Sequence, residues 1–124
     1  MYRSKIKVMK KARDRVRKRI RKKIQGNSEI PRVYVYKSNR YIYTQAIDDV
    51  NGKVLASAST MEKGFKEKHK NTKNTESSRY LGEIMAKRLK QKKIEKIVFD
   101  RGFSPYHGRV KELAEAMRKG GLIF

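Results

Sequence analysis

The alternation of apolar and polar residues predicts a β-hairpin early in the chain. Apolar side chains recur at every second position in residues 33–35 and again, after a short polar break, in residues 42–46. Because successive side chains of a strand point to opposite faces of a sheet, this period of two predicts two strands. We expect them to be antiparallel, with Ser38 and Asn39 at the tip of the turn.

Tyrosines occupy the alternate positions of the same two strands. In the register that this tip gives, Tyr36 lies opposite Tyr41 and Tyr34 lies opposite Tyr43. The predicted hairpin therefore has one aliphatic face and one aromatic face.

Turn signals predict a third strand and a loop after the hairpin. The dipeptide Asn51-Gly52 favours a tight turn, and residues 54–59 are typical of a third strand. Residues 61–74 are rich in Lys and poor in apolar side chains, which predicts an exposed basic loop.

Two amphipathic helices are predicted in the second half of the chain. Apolar residues at spacings of three and four predict one helix from an N-cap at Thr75 to about residue 90. The same spacing predicts another helix around residues 110–117, which Gly120 ends. The apolar residues 94–100 between them predict a buried strand, and the helical connection favours a crossover that makes this strand parallel to the third.

The predicted order is β-β-β-α-β-α, a mixed four-stranded sheet of the α/β (α+β) class with the helices packed on one face. A length of 124 residues fits one globular domain with a modest core. We divide the chain into a basic N-terminal arm, residues 1–27, and a globular domain, residues 28–124.

The arm combines a helical pattern with a high positive charge. Its apolar residues predict a helix over about residues 5–23, and residues 1–25 contain 13 Lys or Arg against one acidic residue, Asp14. Like charges one turn apart repel, so the helix should fray in water and become ordered on a polyanion. An anionic membrane surface is a competing partner, but the arm lacks the Trp or Phe anchors of such helices.

The composition of the whole chain favours nucleic acid as its partner. It has 34 Lys and Arg against 12 Asp and Glu, a formal net charge of +22. The lack of Cys excludes disulfides and thiolate metal sites, and His69 and His107 have no metal-binding spacing. We expect a soluble cytoplasmic protein with no cofactor, no small-molecule substrate and no membrane partner; an organellar protein is the alternative.

The aromatic face of the hairpin suggests contact with RNA. Helices need the aliphatic face, which leaves the tyrosines to solvent or to a partner. Bases stack on such rings, and Lys37, Arg40 and Lys53 supply neighbouring cations. The alternative is that tyrosine merely suits half-exposed strands, in which case RNA meets only the polar tip.

Three carboxylates are the candidates for enzyme chemistry. Asp48, Asp49 and Asp100 lie near strand ends, where such groups can hold Mg²⁺ for a nuclease. However, the first two begin a turn, and Asp100 beside Arg101 is typical of an ion pair or loop cap. No phosphate-binding loop or nucleophile motif accompanies them, so we predict no enzyme activity. A metal-dependent nuclease and a free-standing RNA chaperone remain the alternatives.

Three stretches carry a resemblance to a known family. They are RVYVYKSNRYIYTQAIDD, LASAST and the C-terminal VFDRGFSPYHGRVKELAEAMRKGGLIF. With the basic arm, they resemble the bacterial large-subunit ribosomal protein of the L-eighteen family, in the same order over nearly the whole chain. The resemblance implies a mixed α/β sandwich and a structural, non-enzymatic protein that binds 5S rRNA. It also implies attachment of 5S rRNA to 23S rRNA in the central protuberance, beside neighbouring 5S-associated ribosomal proteins.

The resemblance and the charge pattern together predict a set of RNA-binding residues. In the arm these are Arg3, Lys5, Lys7, Lys10, Lys11, Arg13, Arg15, Arg17, Lys18, Arg19, Arg21, Lys22 and Lys23. In the globular domain they are Arg32, Tyr36, Lys37, Ser38, Asn39, Arg40, Tyr41, Tyr43, Ser57, Ser59, Thr60, Lys66, Lys68, Arg101, Tyr106, His107, Arg109 and Lys111. Phosphate contacts should position the protein, and RNA shape and unstacked bases should supply specificity.

Overall fold

The computed structural model of the chain describes residues 25–69, 71–72, 74–102 and 104–124. The helix predicted over residues 5–23 lies outside the described residues. The described elements are, in order, β1 (Arg32–Lys37), β2 (Ile42–Asp48), β3 (Lys53–Ser59), α1 (Lys63–Lys68), α2 (Thr75–Gln91), β4 (Val98–Asp100) and α3 (Arg109–Lys119).

The four strands form a mixed sheet in the order β3-β2-β1-β4. β1 and β3 are each antiparallel to β2, and β4 is parallel to β1. The predicted mixed sheet is confirmed. β4 runs in the same direction as β3, as predicted, but it pairs with β1, because the chain crosses the sheet and adds the strand to the edge that the hairpin left free.

The aliphatic face of the sheet packs against α2 and α3. Val33, Val35 and Ile42 are buried with Leu81 of α2 and Leu113 of α3 in one hydrophobic cluster. Both helices therefore cover the same face, and their apolar stripes complete the core that the sequence pattern predicts.

The two helices approach each other closely at one small residue. A Cβ on Gly82 of α2 would lie 2.5 Å from the carbonyl oxygen of Leu113 and 2.8 Å from Cβ of Ala116 in α3. Only glycine leaves room for this contact, so the position fixes the distance between the helices.

The hairpin register differs from the predicted one by two residues. Tyr36 pairs with Tyr43, and Tyr34 pairs with Gln45. The turn is longer than a two-residue tip because the Ser38 N–H donates to the carbonyl of Tyr41 at 2.8 Å, while the Ser38 hydroxyl accepts from the Tyr41 N–H at 3.1 Å. The side chain of Ser38 thus closes a loop over residues 38–41 and moves Tyr41 out of the strand.

The segment predicted as an exposed basic loop contains a short helix, α1. Its Phe65 is 3% exposed and lies in the hydrophobic core cluster. The ring of His69 packs 4.7 Å from Phe65 and stacks 4.1 Å from Tyr80 of α2, measured between centroids. One buried aromatic side chain therefore anchors an otherwise polar segment, which periodicity alone does not reveal.

The boundaries of the next elements also differ from the prediction. The N-cap of α2 is Asn74 rather than Thr75, because its side chain accepts from the Ser77 N–H at 2.8 Å.

The strand predicted over residues 94–100 is limited to β4. Ile97 is buried but donates its N–H to the carbonyl of Ile123, so the C-terminal residues complete this edge of the sheet. α3 ends at Gly120, as predicted.

Basic side chains from α2 and its C-cap cover the outer edge of β3. Arg88 Nη1 donates to the carbonyl of Ser57 at 2.6 Å, and Lys92 Nζ donates to the carbonyl of Leu55. Both acceptors belong to the edge strand of the sheet. These two cations thus bind backbone within the protein.

A buried ion cluster joins β1 to the β2–β3 turn and to β4. Arg32 is 5% exposed. Its Nε and Nη2 donate to the Asp49 carboxylate at 2.9 and 3.0 Å, and its Nη1 donates to Asp100 Oδ2 at 2.8 Å. The hydrogen bond to Asp49 raises the pKa of Arg32 most, with help from Asp100 and against the effect of burial. The N–H groups of Gly26 and Gly102 also donate to these carboxylates.

Asp48 holds the β2–β3 turn as a carboxylate. Its Oδ1 accepts from the N–H groups of Val50 and Asn51 at 3.0 and 3.3 Å, and its Oδ2 accepts from Asn51 Nδ2 at 2.7 Å. The bond from the Asn51 side chain is the main reason that the pKa of Asp48 lies below its ordinary value. A lowered pKa contributes stability above the ordinary value of about 3.9, and that stability is lost as the pH falls through the lower folded value.

Replacing Arg32 should destabilise the fold strongly. We expect Arg32→Met to lower the free energy of unfolding by about 3 to 5 kcal/mol, because Asp100 is left buried and Asp49 half-buried without their counter-charge. Chemical denaturation at neutral pH measures the loss. The control is Arg32→Met/Asp49→Asn/Asp100→Asn, which removes all three charges together and should recover most of it. A loss below about 1 kcal/mol for Arg32→Met would contradict the assignment.

The stabilising effect of Asp48 should disappear in acid. We expect wild type to exceed Asp48→Asn in free energy of unfolding by a constant amount between about pH 5 and 7, and this difference to shrink below about pH 4. Denaturant titrations at a series of pH values measure it. Asn51→Ala removes the hydrogen bond that lowers the pKa of Asp48 most, so it should reduce the part of the unfolding free energy that varies with pH. A difference that does not vary with pH would rule out this role for Asp48.

Candidate RNA interface

The face of the sheet opposite the helices carries an aromatic groove. Tyr34, Tyr36, Tyr43 and Gln45 line a groove of about 290 Å³. Tyr36 is 48% exposed, and its ring centroid lies 5.8 Å from that of Tyr43. The aromatic face that the alternation predicts is therefore present, although its rings pair differently.

The loop after β4 lies beside this groove. Gly102 has a φ of 59°, and a Cβ there would lie 3.2 Å from the ring of Tyr34. A left-handed conformation in such close contact favours glycine over any other residue. Gly102 thus lets the loop after β4 pass directly beside the ring of Tyr34.

Tyr41 extends the aromatic surface towards the hairpin loop. Its ring meets that of Tyr43 edge to face, with centroids 6.4 Å apart, and Lys66 Nζ of α1 lies 4.9 Å from the centroid of Tyr41. The Tyr43 hydroxyl in turn contacts the sulfur of Met61 at 3.5 Å. The aromatic rings on this side of the molecule therefore have a cation, Lys66, against them.

The hairpin tip, which we define as residues 38–41, is polar and carries an exposed cation. Asn39 and Arg40 are exposed, while Lys37 at the end of β1 is half-buried. The carbonyl of Arg40 accepts from Thr72 Oγ1 at 2.9 Å. Thr72 cannot be recognised from the sequence, because an isolated threonine in a polar segment belongs to no motif or periodic pattern.

The predicted residues after β3 have different environments. Ser57 is exposed, and the half-buried Ser59 accepts a hydrogen bond from the Met61 N–H at 3.0 Å. Thr60 is fully buried, and its hydroxyl accepts from the N–H of Ile42 at 3.0 Å. Thr60 therefore links the end of β3 to the start of β2 inside the protein, and its hydroxyl is not accessible to RNA.

The predicted residues of α1 and of the α3 region lie at the surface. Lys66, Lys68, His107 and Lys111 are exposed. Arg109 is half-buried, and its Nη1 donates to the carbonyl oxygen in Ser38 at 3.3 Å. The guanidinium of Arg109 thus connects α3 to the hairpin tip.

A second groove, of about 660 Å³, lies at the β4 edge of the sheet. Arg118 lines it and lies 4.4 Å from the ring centroid of Phe124, and its Nη1 donates to the Tyr106 hydroxyl at 3.1 Å. Phe124 stacks on Phe99 with centroids 5.4 Å apart. Tyr106 and Arg101 are predicted from the sequence, but Arg118 and Phe124 are not, because in the sequence they have the pattern of a helix-surface residue and a terminal residue.

Arg32 does not belong to this surface. Its guanidinium is buried between Asp49 and Asp100, so the cluster leaves it no access to a partner. The sequence shows a cation at the start of a strand but not the distant carboxylates that enclose it.

The three candidate carboxylates have structural partners. Asp49 and Asp100 bind Arg32, and Asp48 caps a turn. Within residues 25–69, 71–72, 74–102 and 104–124, no three His, Cys, Asp or Glu side chains are grouped as a metal site would need. The helices of that same part of the chain include none with the length and apolarity to cross a membrane. The predicted RNA-binding residues of the arm lie outside the described residues.

Comparison with known proteins identifies the family. The family model described as ribosomal L18 of archaea, bacteria, mitochondria and chloroplast matches residues 7–124. A Dictyoglomus thermophilum protein is 52% identical over 121 residues, which cover 94% of this chain and 99% of that protein. A Clostridium kluyveri protein is 48% identical, covering 97% of this chain and 95% of its own.

A third relative, from Caldicellulosiruptor saccharolyticus, is 50% identical over 86% of both chains. All three relatives are named large ribosomal subunit protein uL18. Since the family match includes every described element and the identity extends over most of the chain, this chain belongs to the ribosomal protein L18 family.

Proposed function

We propose that this chain is a structural, non-enzymatic component of the large subunit of a cytoplasmic ribosome, where it binds 5S rRNA and helps attach it to 23S rRNA. The proposed location is the central protuberance, beside other 5S-associated ribosomal proteins. Membership of the L18 family over residues 7–124 is the observation that carries this proposal.

The charge of the chain supports RNA as the partner. Its net charge of +22 is unevenly divided, since residues 1–25 contain 13 of the 34 Lys and Arg. We propose that residues 1–27 act as an arm that neutralises phosphates and that residues 28–124 form a domain that recognises RNA shape. The arm residues in this role are those predicted from the sequence.

The surface of the globular domain offers two kinds of contact. Exposed cations such as Arg40 and Lys66 can pair with phosphates, and the exposed ring of Tyr36 can stack on an unpaired base. The proposed contacts are Tyr36, Lys37, Ser38, Asn39, Arg40, Tyr41, Tyr43, Ser57, Ser59, Lys66, Lys68, Arg101, Tyr106, His107 and Lys111. Arg32 and Thr60 are left out because both are buried, and Arg109 is left out because its guanidinium donates to the Ser38 carbonyl.

The full chain should prefer 5S rRNA over an unrelated RNA of equal length. At about 0.15 M salt we expect a preference of about tenfold or more, equivalent to about 1.4 kcal/mol. Filter binding or fluorescence anisotropy across a salt series measures it. Equal affinity for both RNAs would favour a free-standing RNA chaperone and contradict the ribosomal function.

Removal of residues 1–25 measures, in the same assay, how much the arm contributes to RNA affinity and to its salt dependence. We expect a shallower dependence of log affinity on log salt, by about 0.7 to 0.9 for each phosphate that the arm neutralises, with preference for 5S rRNA retained. Circular dichroism should confirm that the shortened chain is folded before its binding is interpreted. An unchanged salt slope would contradict the proposed role of the arm.

Substitutions on the hairpin should separate phosphate contact from base stacking. Arg40→Gln should weaken 5S rRNA binding and reduce the salt slope by about 0.7 to 0.9. Tyr36→Leu should weaken binding by about 1 to 3 kcal/mol without changing the slope if a base stacks on the ring. Lys87→Gln/Lys119→Gln, on the exposed sides of α2 and α3, is the charge control. Wild-type affinity for Tyr36→Leu would contradict base stacking on this ring and would leave the polar hairpin tip as the part of the hairpin that contacts RNA.

A further inference from the structure

Three side chains, from two distant regions of the chain, converge on the hairpin tip. Thr72, between α1 and α2, donates its hydroxyl to the Arg40 carbonyl at 2.9 Å across 32 sequence positions. Arg109, at the start of α3, donates Nη1 to the carbonyl oxygen in Ser38 at 3.3 Å across 71 positions. Lys66 of α1 lies over the ring of Tyr41.

The tip's own hydrogen bonds serve a different purpose. The Ser38 N–H and hydroxyl both bond to the carbonyl of Tyr41, and the Tyr41 N–H bonds back to the Ser38 hydroxyl. These bonds close the turn, but they do not set its angle to the rest of the molecule. The contacts to Thr72 and Arg109 do, because they attach one of its carbonyls to the connection between α1 and α2 and another to α3.

We propose that Thr72 and Arg109 are positioning residues that hold the hairpin tip, before RNA binds, in the conformation in which RNA recognises it. This inference rests on the proposed function. A tip that is already ordered loses less conformational freedom on binding, so the affinity gained comes from preorganisation rather than from a further contact with RNA. Arg109 acts through the Ser38 carbonyl, in contrast to the direct RNA contact that the family resemblance implies for it.

Thr72 gives the cleanest test because its substitution changes no charge. Thr72→Val keeps the shape of the side chain but removes the donor, and we expect 5S rRNA binding to weaken about three- to tenfold with an unchanged salt slope. Thr72→Ser, which retains the hydroxyl, should bind like wild type. Thr75→Val, at an exposed threonine nearby, is the matched control. Wild-type affinity for Thr72→Val would overturn the proposal.

Arg109 is tested by comparing its salt dependence with that of Arg40. Arg109→Gln should weaken binding about three- to tenfold without changing the salt slope, whereas Arg40→Gln should reduce the slope. A slope reduced by about 0.7 to 0.9 in Arg109→Gln would identify Arg109 as a phosphate contact and overturn its positioning role. Thermal unfolding of each variant should match wild type, which separates a local effect from loss of the fold.

Hydrogen exchange of the free, full-length protein distinguishes failure of this inference from failure of the proposed function. We expect faster exchange at the Ser38 and Tyr41 amides in Thr72→Val and in Arg109→Gln, and wild-type exchange in Thr75→Val. Unchanged exchange would overturn the positioning role even if 5S rRNA binds the tip. Faster exchange together with wild-type 5S binding by all variants, Arg40→Gln included, would instead show that the tip is not an RNA contact.

Discussion

The packing of α2 and α3 on the aliphatic face of the sheet determines what the opposite face can do. Buried Leu81 of α2 and Leu113 of α3 pack against the apolar side of the hairpin, so these two helices leave the alternate residues of its strands uncovered. Because the period of a strand is two, an aliphatic row on one side places the tyrosines in a row on the other. Core formation and the candidate RNA surface are therefore two results of one sequence pattern.

Much of this arrangement was predictable because it depends on local patterns. The face of each hairpin residue follows from alternation, and the positions of α2 and α3 follow from apolar spacing. The register was not predictable in this way, since it depends on a side-chain bond within the turn at Ser38. The existence of α1 depends on a single buried ring, Phe65, and the neighbour of β4 depends on which sheet edge is free.

Only those features of the candidate site that depend on the type of residue could be predicted from the sequence. Cations and tyrosines can be recognised directly in a sequence, and the L18 resemblance, which the family match confirms, covers most of them. Burial cannot be recognised in the same way. Arg32 and Arg40 are both arginines of the predicted hairpin, yet Arg32 is buried by ion pairs with Asp49 and Asp100, which are distant in the sequence. Thr72 and Arg109 likewise acquire a role only through contacts with a hairpin far away in the chain.

The covering of β3 by Arg88 and Lys92 has a consequence for how copies of this protein behave together. A strand that joins a sheet edge needs the edge carbonyls as acceptors, and those of Ser57 and Leu55 already bind cations. Two carbonyls of the seven-residue edge strand are thus already occupied and not open to a second chain. Part of the protein's large positive charge is therefore used internally, where it makes the β3 edge less open to strand-to-strand association.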